Sequence, residues 1–329
     1  MLKPSSAPYL RNAQRPAYQS YGVLLCLVPL IVLAYVHYGI RPLLLVLSGM
    51  LGAIFTEFVC GLFRHGRPKI SDATCIVTGS LIGAMMSPLT PFWVPMIGSA
   101  FAIGVAKMPF GGTGRNIFNP AAAGMAFCAV CFPTRLFVYP DPAFTNSLPL
   151  WDTSAVVTAA SPTAQLNSGG TTSYGWVSLL SGDFPGPIGS IGVLILLACA
   201  VYLFMRHSAS PLILLPYLLV CTIIAALFPR AASVDTVTSI SLELCTGLLL
   251  FSGVFLLNDP VTAPRFWLAR ILYGVLAAIA TMLLRHFGRF ECSEFFAVML
   301  VNSFSPLLDR SCWRLTAYIK RKSEEVSRT

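Results

Sequence analysis

The chain has 329 residues, 56% of them hydrophobic and only 11% charged, and carries a net charge of +9. Soluble domains typically carry about 25% charged residues, so this composition excludes an ordinary soluble enzyme, and the lack of period-2 alternation excludes a transmembrane β-barrel. What fits is an all-α polytopic membrane protein.

Residues 1–21 are polar and basic (Lys3, Arg11, Arg15) and precede the first long apolar run. No small-residue cleavage site follows that run, so the sequence predicts an uncleaved first span behind a cytoplasmic N-terminal segment. Apolar runs then predict about ten spans, near 22–40, 42–63, 73–88, 92–108, 117–132, 187–205, 211–228, 236–257, 266–284 and 292–308. They divide the chain into a first membrane half (22–132), a loop (133–186), a second membrane half (187–308) and a basic tail (309–329).

With both termini in the cytoplasm, only Arg41, Arg135, Arg230, Arg285 and Arg289 of the 22 basic residues fall outside. That bias sets the orientation by the positive-inside rule. The positive charge then needs no nucleic acid to explain it; the partner it faces is membrane lipid. The loop 133–186 lies on the extracytoplasmic side and is far longer than the usual connection of about 4–6 residues. The tail "RLTAYIKRKSEEVSRT" reads as a topology anchor, with docking of a partner as the other reading.

Two segments resemble each other. "SPLTPFW" (Ser87–Trp93) closes the third predicted span and "DPVTAPRFW" (Asp259–Trp267) the eighth. Five spans separate them, an odd number, so they face opposite sides, which suggests an inverted 5+5 repeat. The other reading is that Pro, Thr and aromatics gather at membrane interfaces anyway. In inverted repeats, broken half-helices meet near the midplane and form a site or pathway. A candidate break is "KMPFGGTGRNIFNPAAAG" (Lys107–Gly124), with Gly111, Gly112, Gly114 and Asn119-Pro120. Glycine-rich backbone at a helix N-terminus is able to receive an anion, but no Lys-Ser/Thr follows the glycines, so this is not a P-loop.

Cys128 and Cys131 form a C-x-x-C pair, read as packing, with ligation of a metal or cluster alongside a partner's thiols as the alternative. Glu57 and Glu243 fall inside predicted spans. A carboxylate near the bilayer centre costs on the order of 2.5–3.5 kcal/mol on insertion scales, so each is either a station on an ion path or an acid satisfied by a neighbouring helix.

Four stretches together, "GSAFAIGVAKMPFGGTGRNIFNPAAAG" (98–124), "GPIGSIG" (186–192), "GLLLFSGVFLLNDPVTAP" (247–264) and "FFAVMLVNSFSPLLD" (295–309), carry a family resemblance. The chain resembles the D subunit of the Rnf-type ion-translocating electron-transport complex, and more distantly the B subunit of the sodium-pumping NADH:quinone oxidoreductase. The resemblance implies one component of a redox-driven translocase in the bacterial inner membrane. That assembly moves electrons between ferredoxin and NAD and couples them to Na⁺ or H⁺ transport, with the other Rnf-like subunits (A, B, C, E, G) as partners.

It also implies FMN esterified through its phosphate to a hydroxyl in a motif like Ser/Thr-Gly-Ala-Thr-Pro, installed by a flavin transferase. The matching stretch is Thr158-Ala159-Ala160-Ser161-Pro162. Ser161 falls on the acceptor, Thr158 on the leading hydroxyl and Pro162 on the trailing proline. The chain departs from the pattern at Ala159 (usually Gly), Ser161 (usually Thr), Ala155 (often acidic) and Ser190 (commonly Glu in the turn after Gly189). Such a tether holds a carrier at roughly millimolar effective concentration near its partners. The resemblance further implies a second flavin, riboflavin or FMN, among the spans; Gly111, Gly112 and Asn119, in the glycine-rich break, are further candidate cofactor-binding residues. Nothing in the chain resembles an NADH site or an iron–sulfur framework, so those roles fall to partners. A channel or transporter without a redox centre fits the same repeat, and a pure scaffold is the third reading.

Overall fold

The apolar runs fold as helices because a helix satisfies its own backbone polar groups where water is absent. The computed structural model describes residues 16–65, 73–143, 147–168, 174–230, 235–288 and 290–326; Arg67, Lys69 and Arg289, counted in the charge bias, and most of the N-terminal segment lie outside them. In chain order the helices are α1 (Pro16–Tyr38), α2 (Arg41–His65), α3 (Thr74–Ala84), α4 (Trp93–Phe101, continued as a π-helical turn over Ala102–Lys107) and α5 (Pro120–Cys131). Within the long loop come α6 (Pro133–Leu136), strands β1 (Tyr139–Pro140) and β2 (Thr158–Ala159), α7 (Pro162–Asn167) and α8 (Trp176–Ser181). Then follow α9 (Val193–Met205), α10 (Pro211–Leu227), α11 (Thr236–Cys245), α12 (Leu249–Phe251, continued as a π-helical turn over Ser252–Leu256), α13 (Trp267–Phe287) and α14 (Glu294–Val326).

Each of the ten predicted apolar runs holds a helix, but few of those helices have full crossing length. Gln19–Tyr38, Arg41–Phe63 and Trp267–Phe287 are long and apolar enough, and α11 with α12 makes a fourth only if their 57° bend is counted within one span. The 11 residues of α3 rise only about 16 Å, near half the hydrocarbon thickness. Proline and glycine set these breaks. Pro88 and Pro91 follow α3, and Gly247, at φ +66, turns the chain between α11 and α12. α14 departs the other way, running on to Val326 instead of ending near 308, since no helix stop follows Pro306.

The surface is inside-out relative to a water-soluble protein. Leu25, Val28, Val32 and Tyr35 on α1 are exposed at helical spacing, as are Leu47, Leu51, Phe55, Phe58 and Leu62 on α2 and Leu215, Leu219, Ile223 and Leu227 on α10. Arg41, Glu57, Lys107, Glu243, Arg285 and Glu294 are buried. Apolar stripes this long exceed what a soluble monomer exposes and suit lipid contact.

Between helices, small residues allow close approach. A Cβ on Gly79 of α3 would lie 2.4 Å from the Gly49 carbonyl oxygen of α2, and one on Gly49 would lie 2.5 Å from the Gly79 oxygen. The "GPIGSIG" stretch closes the broken end of α3, where the N–H groups of Gly189 and Ile188 donate to the carbonyls of Ala84 (2.7 Å) and Met86 (3.0 Å). A side chain at Gly189 would meet Phe251 at 2.6 Å.

The long loop is a built cap rather than an open strand of chain. Leu148, Leu166, Leu179, Phe184, Ile188 and Ile191 form a core with Ala34, Tyr38, Leu45 and Leu242. Arg41, at the start of α2, ties it down, its guanidinium donating to the carbonyls of Pro88 (2.8 Å) and Pro149 (2.9 Å). This is the loop end of the bundle; Lys107, Asn119, Ser210 and Asp259 mark the opposite end.

Candidate functional site

The stretch around Ser161 is positioned by a minimal antiparallel pair, Tyr139 opposite Ala159 and Pro140 opposite Thr158. Thr158 is exposed, as expected on the outer face of an edge pair. It lines an open pocket of about 720 Å³ with Arg41, Arg135, Phe92, Trp93 and Trp151. Ser161 then starts α7 as its N-cap, with Pro162 at the first helical position, the sequence order such a start favours.

Ser161 is only 3% exposed. Its Oγ accepts from the Ala164 N–H at 3.1 Å and donates to Glu291 Oε1 in a short contact. Thr163, fully buried, donates to Thr246 Oγ1 at 3.3 Å, so α7 is plugged into the bundle. Glu291 lies between α13 and α14. Burial pushes its carboxyl up to about 7; the Ser161 and Tyr139 hydroxyls pull it down and the Glu294 charge pushes it up.

Next to this contact lies a buried ionic cluster. The Arg285 guanidinium donates to Glu294 Oε1 and Glu243 Oε2 (2.9 Å each) and to the carbonyls of Glu243 (2.8 Å) and Thr246 (2.7 Å). Arg230 adds a two-pronged contact to Glu243, with Nη2 to Oε2 at 2.7 Å. Gly247 leaves room for the Arg285 guanidinium, since a Cβ there would lie 2.5 Å from Nη2. Glu243 is thus a paired acid. Among the described residues, Glu294 Oε2 has no hydrogen-bond partner in its buried position.

At the opposite end, Glu57 is fully buried and its carboxylate takes Lys107 Nζ at 3.4 Å. Lys107 also donates to Thr74 Oγ1 at 3.0 Å, which in turn contacts Thr113. Beside them is a cavity of about 110 Å³ lined by both halves of the chain, including Gln19, Thr74, Lys107, Asn116, Asn119 and Ser208. Among the described residues, Gln19 Oε1 and Ser208 Oγ are buried there without hydrogen-bond partners.

The glycine run does not face that cavity with free donors. The N–H groups of Gly111 and Gly112 go to the carbonyls of Met108 (3.1 Å) and Lys107 (3.2 Å), closing the preceding helix. Asn119 caps α5, its Oδ1 accepting from Ala121 (2.9 Å) and Ala122 (3.2 Å). The N-terminal donors of that helix therefore already have a partner. Cys128 is buried against Gly98, where an added Cβ would lie 2.5 Å from its sulfur, while Cys131 is exposed. Among the described residues, no three His, Cys, Asp or Glu side chains are placed to hold a metal.

The structure thus puts Thr158, Ser161 and Pro162 together at the loop end with Glu243 nearby, and Asn119 and Glu57 at the other. Sequence reasoning missed Glu291, Glu294 and Lys107 as partners. It used Arg230 and Arg285 only to weigh topology. The available signal was the clustering of opposite charges at span ends, as in Arg285 through Glu294.

Known proteins resemble this chain along most of its length. Residues 3–316 match the model described as the NQR2, RnfD, RnfE family. The chain is 30% identical over 312 residues to the D subunit of the Na(+)-translocating ferredoxin:NAD(+) oxidoreductase complex of Acetobacterium woodii, covering 94% of this chain and 93% of that protein. It is 28% identical over 346 residues to the D subunit of the ion-translocating oxidoreductase complex of Klebsiella pneumoniae (93% and 95% covered). It is 26% identical over 314 residues to the D subunit of the proton-translocating ferredoxin:NAD(+) oxidoreductase complex of Clostridium ljungdahlii (93% and 93% covered).

Proposed function

The chain belongs to the NQR2, RnfD, RnfE family, and from that premise we propose that it is the flavin-bearing membrane subunit of an Rnf-like ion-translocating oxidoreductase. Its partners are the remaining subunits, which hold the ferredoxin and NAD chemistry, and a flavin transferase that matures it. The observation that carries this reading is similarity over nearly the whole chain to the D subunits of such complexes, together with a hydroxyl-proline pair, Ser161-Pro162, in the long loop.

The reading includes ten crossings as an inverted 5+5 repeat, with the loop end extracytoplasmic and both termini in the cytoplasm. Support comes from reciprocal contacts between the first and sixth predicted spans. Cys199 Sγ approaches the Cys26 carbonyl at 3.3 Å, and Cys26 Sγ the Cys199 carbonyl at 4.0 Å. Mutual contacts of this kind are expected where equivalent elements meet on a twofold axis. The two resembling segments are also similar locally. Ser87 Oγ accepts from the Leu89 N–H, Asp259 Oδ2 accepts from Thr262, and each turn leads into a helix beginning with tryptophan.

FMN on Ser161 would supply a carrier of one or two electrons at the extracytoplasmic face. The residue chemistry fits, since Ser161 offers a primary hydroxyl followed by proline, with the exposed Thr158 three positions before it. The second flavin, riboflavin or FMN, is proposed for the cavity lined by Asn119. The Gln19 and Ser208 oxygens there, without partners among the described residues, suit a polar ligand. At about 110 Å³ the cavity is smaller than typical ligand pockets of roughly 300–1,000 Å³, so admitting a ring system requires it to widen. Gly111 and Gly112 would shape the approach rather than donate hydrogen bonds. Glu57 and Glu243 are the proposed ion-path acids, each already beside a cation.

Co-expression with a flavin transferase, followed by denaturation, in-gel fluorescence and mass analysis of the 156–166 peptide, tests the reading. The expected result is an FMN adduct on Ser161. A denatured chain without bonded flavin removes the electron route and leaves an inverted-repeat transporter with no redox centre.

A further inference from the structure

The Ser161 hydroxyl is already committed twice, as acceptor from the Ala164 N–H and as donor to Glu291. It is 3% exposed, and its neighbours Pro162, Thr163 and Leu166 are buried with it. A hydroxyl held this way is out of reach of a modifying enzyme.

Esterification changes that oxygen chemically. In the transfer, Ser161 Oγ attacks a phosphorus of a flavin dinucleotide's pyrophosphate and an O–P bond forms. The pyrophosphate bond breaks, a nucleoside monophosphate leaves, and the hydroxyl proton passes to the transferase. The product oxygen no longer carries a hydrogen to donate to Glu291. The new phosphodiester also brings a negative charge to within contact of Glu291, with Glu294 behind it. With Glu291 ionised, like charges at such separation in a poorly solvated site repel strongly.

We infer that Glu291 is a latch on the Ser161 hydroxyl: it holds α7 docked before maturation, must release it for flavin transfer, and excludes the modified loop from the same seat afterwards. This rests on the reading of Ser161 as acceptor. The protein therefore has two loop states, a docked unmodified one and a released flavin-bearing one. Glu291 acts through Ser161's position and touches no flavin in the docked state.

The experiment uses the full chain in membranes, co-expressed with the transferase, in wild-type, Glu291→Ala, Glu291→Gln and Ser161→Ala forms. Flavin on the loop peptide is followed over time, and amide exchange at Ala164 and Gln165 reports docking. Losing one hydrogen bond corresponds to a change on the order of tenfold, so Glu291→Ala is expected to accelerate modification about that much. Glu291→Gln, whose amide oxygen still accepts from the hydroxyl, should fall between and guards against a folding defect in the alanine form. Wild-type protein should lose protection at Ala164 once modified. Equal modification rates in all Glu291 forms, with unchanged protection before and after loading, overturn the latch while leaving Ser161 as acceptor. Flavin absent from every form, Glu291→Ala included, removes the acceptor reading and the latch with it.

Discussion

The side-chain amide of Asn119 donates to the Leu256 carbonyl at 3.0 Å, joining segments 137 residues apart. The same side chain caps α5 through Oδ1. One residue therefore closes the end of a π-helical turn in the second half and the start of a helix in the first.

Replacing it separates the two roles. Asn119→Ala should cost about 1 kcal/mol for the lost cap and a further 1–3 kcal/mol or so for the unsatisfied Leu256 carbonyl. Asn119→Ser keeps a cap acceptor and is too short to reach the Leu256 carbonyl, so its thermal midpoint in detergent should lie between wild type and alanine. A serine form as unstable as alanine would mean that capping contributes nothing measurable.

The Arg285 cluster predicts a sharper loss. Removing one partner from a buried ion pair typically costs about 3–5 kcal/mol, because the other charge stays behind. Arg285→Met leaves Glu294 without its cation and should sharply lower the yield of folded protein. Glu243→Gln leaves two guanidinium groups facing each other and should be nearly as harmful. If Glu243→Gln folds normally in a thermal assay but loses ion transport, the acid belongs to the path rather than to the scaffold.

How much of this was legible beforehand follows from the kind of signal each feature leaves. The helices were legible because apolar runs set them, and the 133–186 segment because its Ser, Thr, Pro and Gly content interrupts those runs. Helix lengths were not, since the end of α3 depends on amides from Gly189 and Ile188, about a hundred residues away. Glu57 and Glu243 stood out as acids in apolar context. Their partners did not, because Lys107 and Arg285 lie near predicted span ends, where basic residues are expected anyway. The Glu291 contact to Ser161 spans 130 residues, and no local pattern announces it.

Glu57 and Lys107 offer a cleaner test of transport than either residue alone. Glu57→Gln strands a buried ammonium and Lys107→Met a buried carboxylate, so each should destabilise by about 3–5 kcal/mol. The double replacement removes both charges and should recover most of that loss. Ion uptake by vesicles carrying the assembled complex then decides the role. Uptake retained by the stable double variant takes Glu57 off the path, and uptake lost in a well-folded double variant keeps it there.

The last prediction concerns pH. Glu291 faces Ser161 from the α7 cap, Tyr139 from β1, and Cys292 and Glu294 from its own segment and α14. Its docked carboxyl is pushed from 4.5 up to about 7, chiefly by burial. A docked state with the higher pKa binds the proton more tightly than a released state near the ordinary value. Docking is therefore fully favoured below about 4.5 and loses this contribution as pH rises through about 7. Protection factors at Ala164, corrected for intrinsic exchange, should fall between about pH 5 and pH 8 in unmodified protein. Glu291→Gln should flatten the profile, because an amide does not titrate. A wild-type profile that is flat over the same range would show that Glu291 does not change its proton occupancy when the loop docks, and that hydrogen bonding alone holds α7 in place.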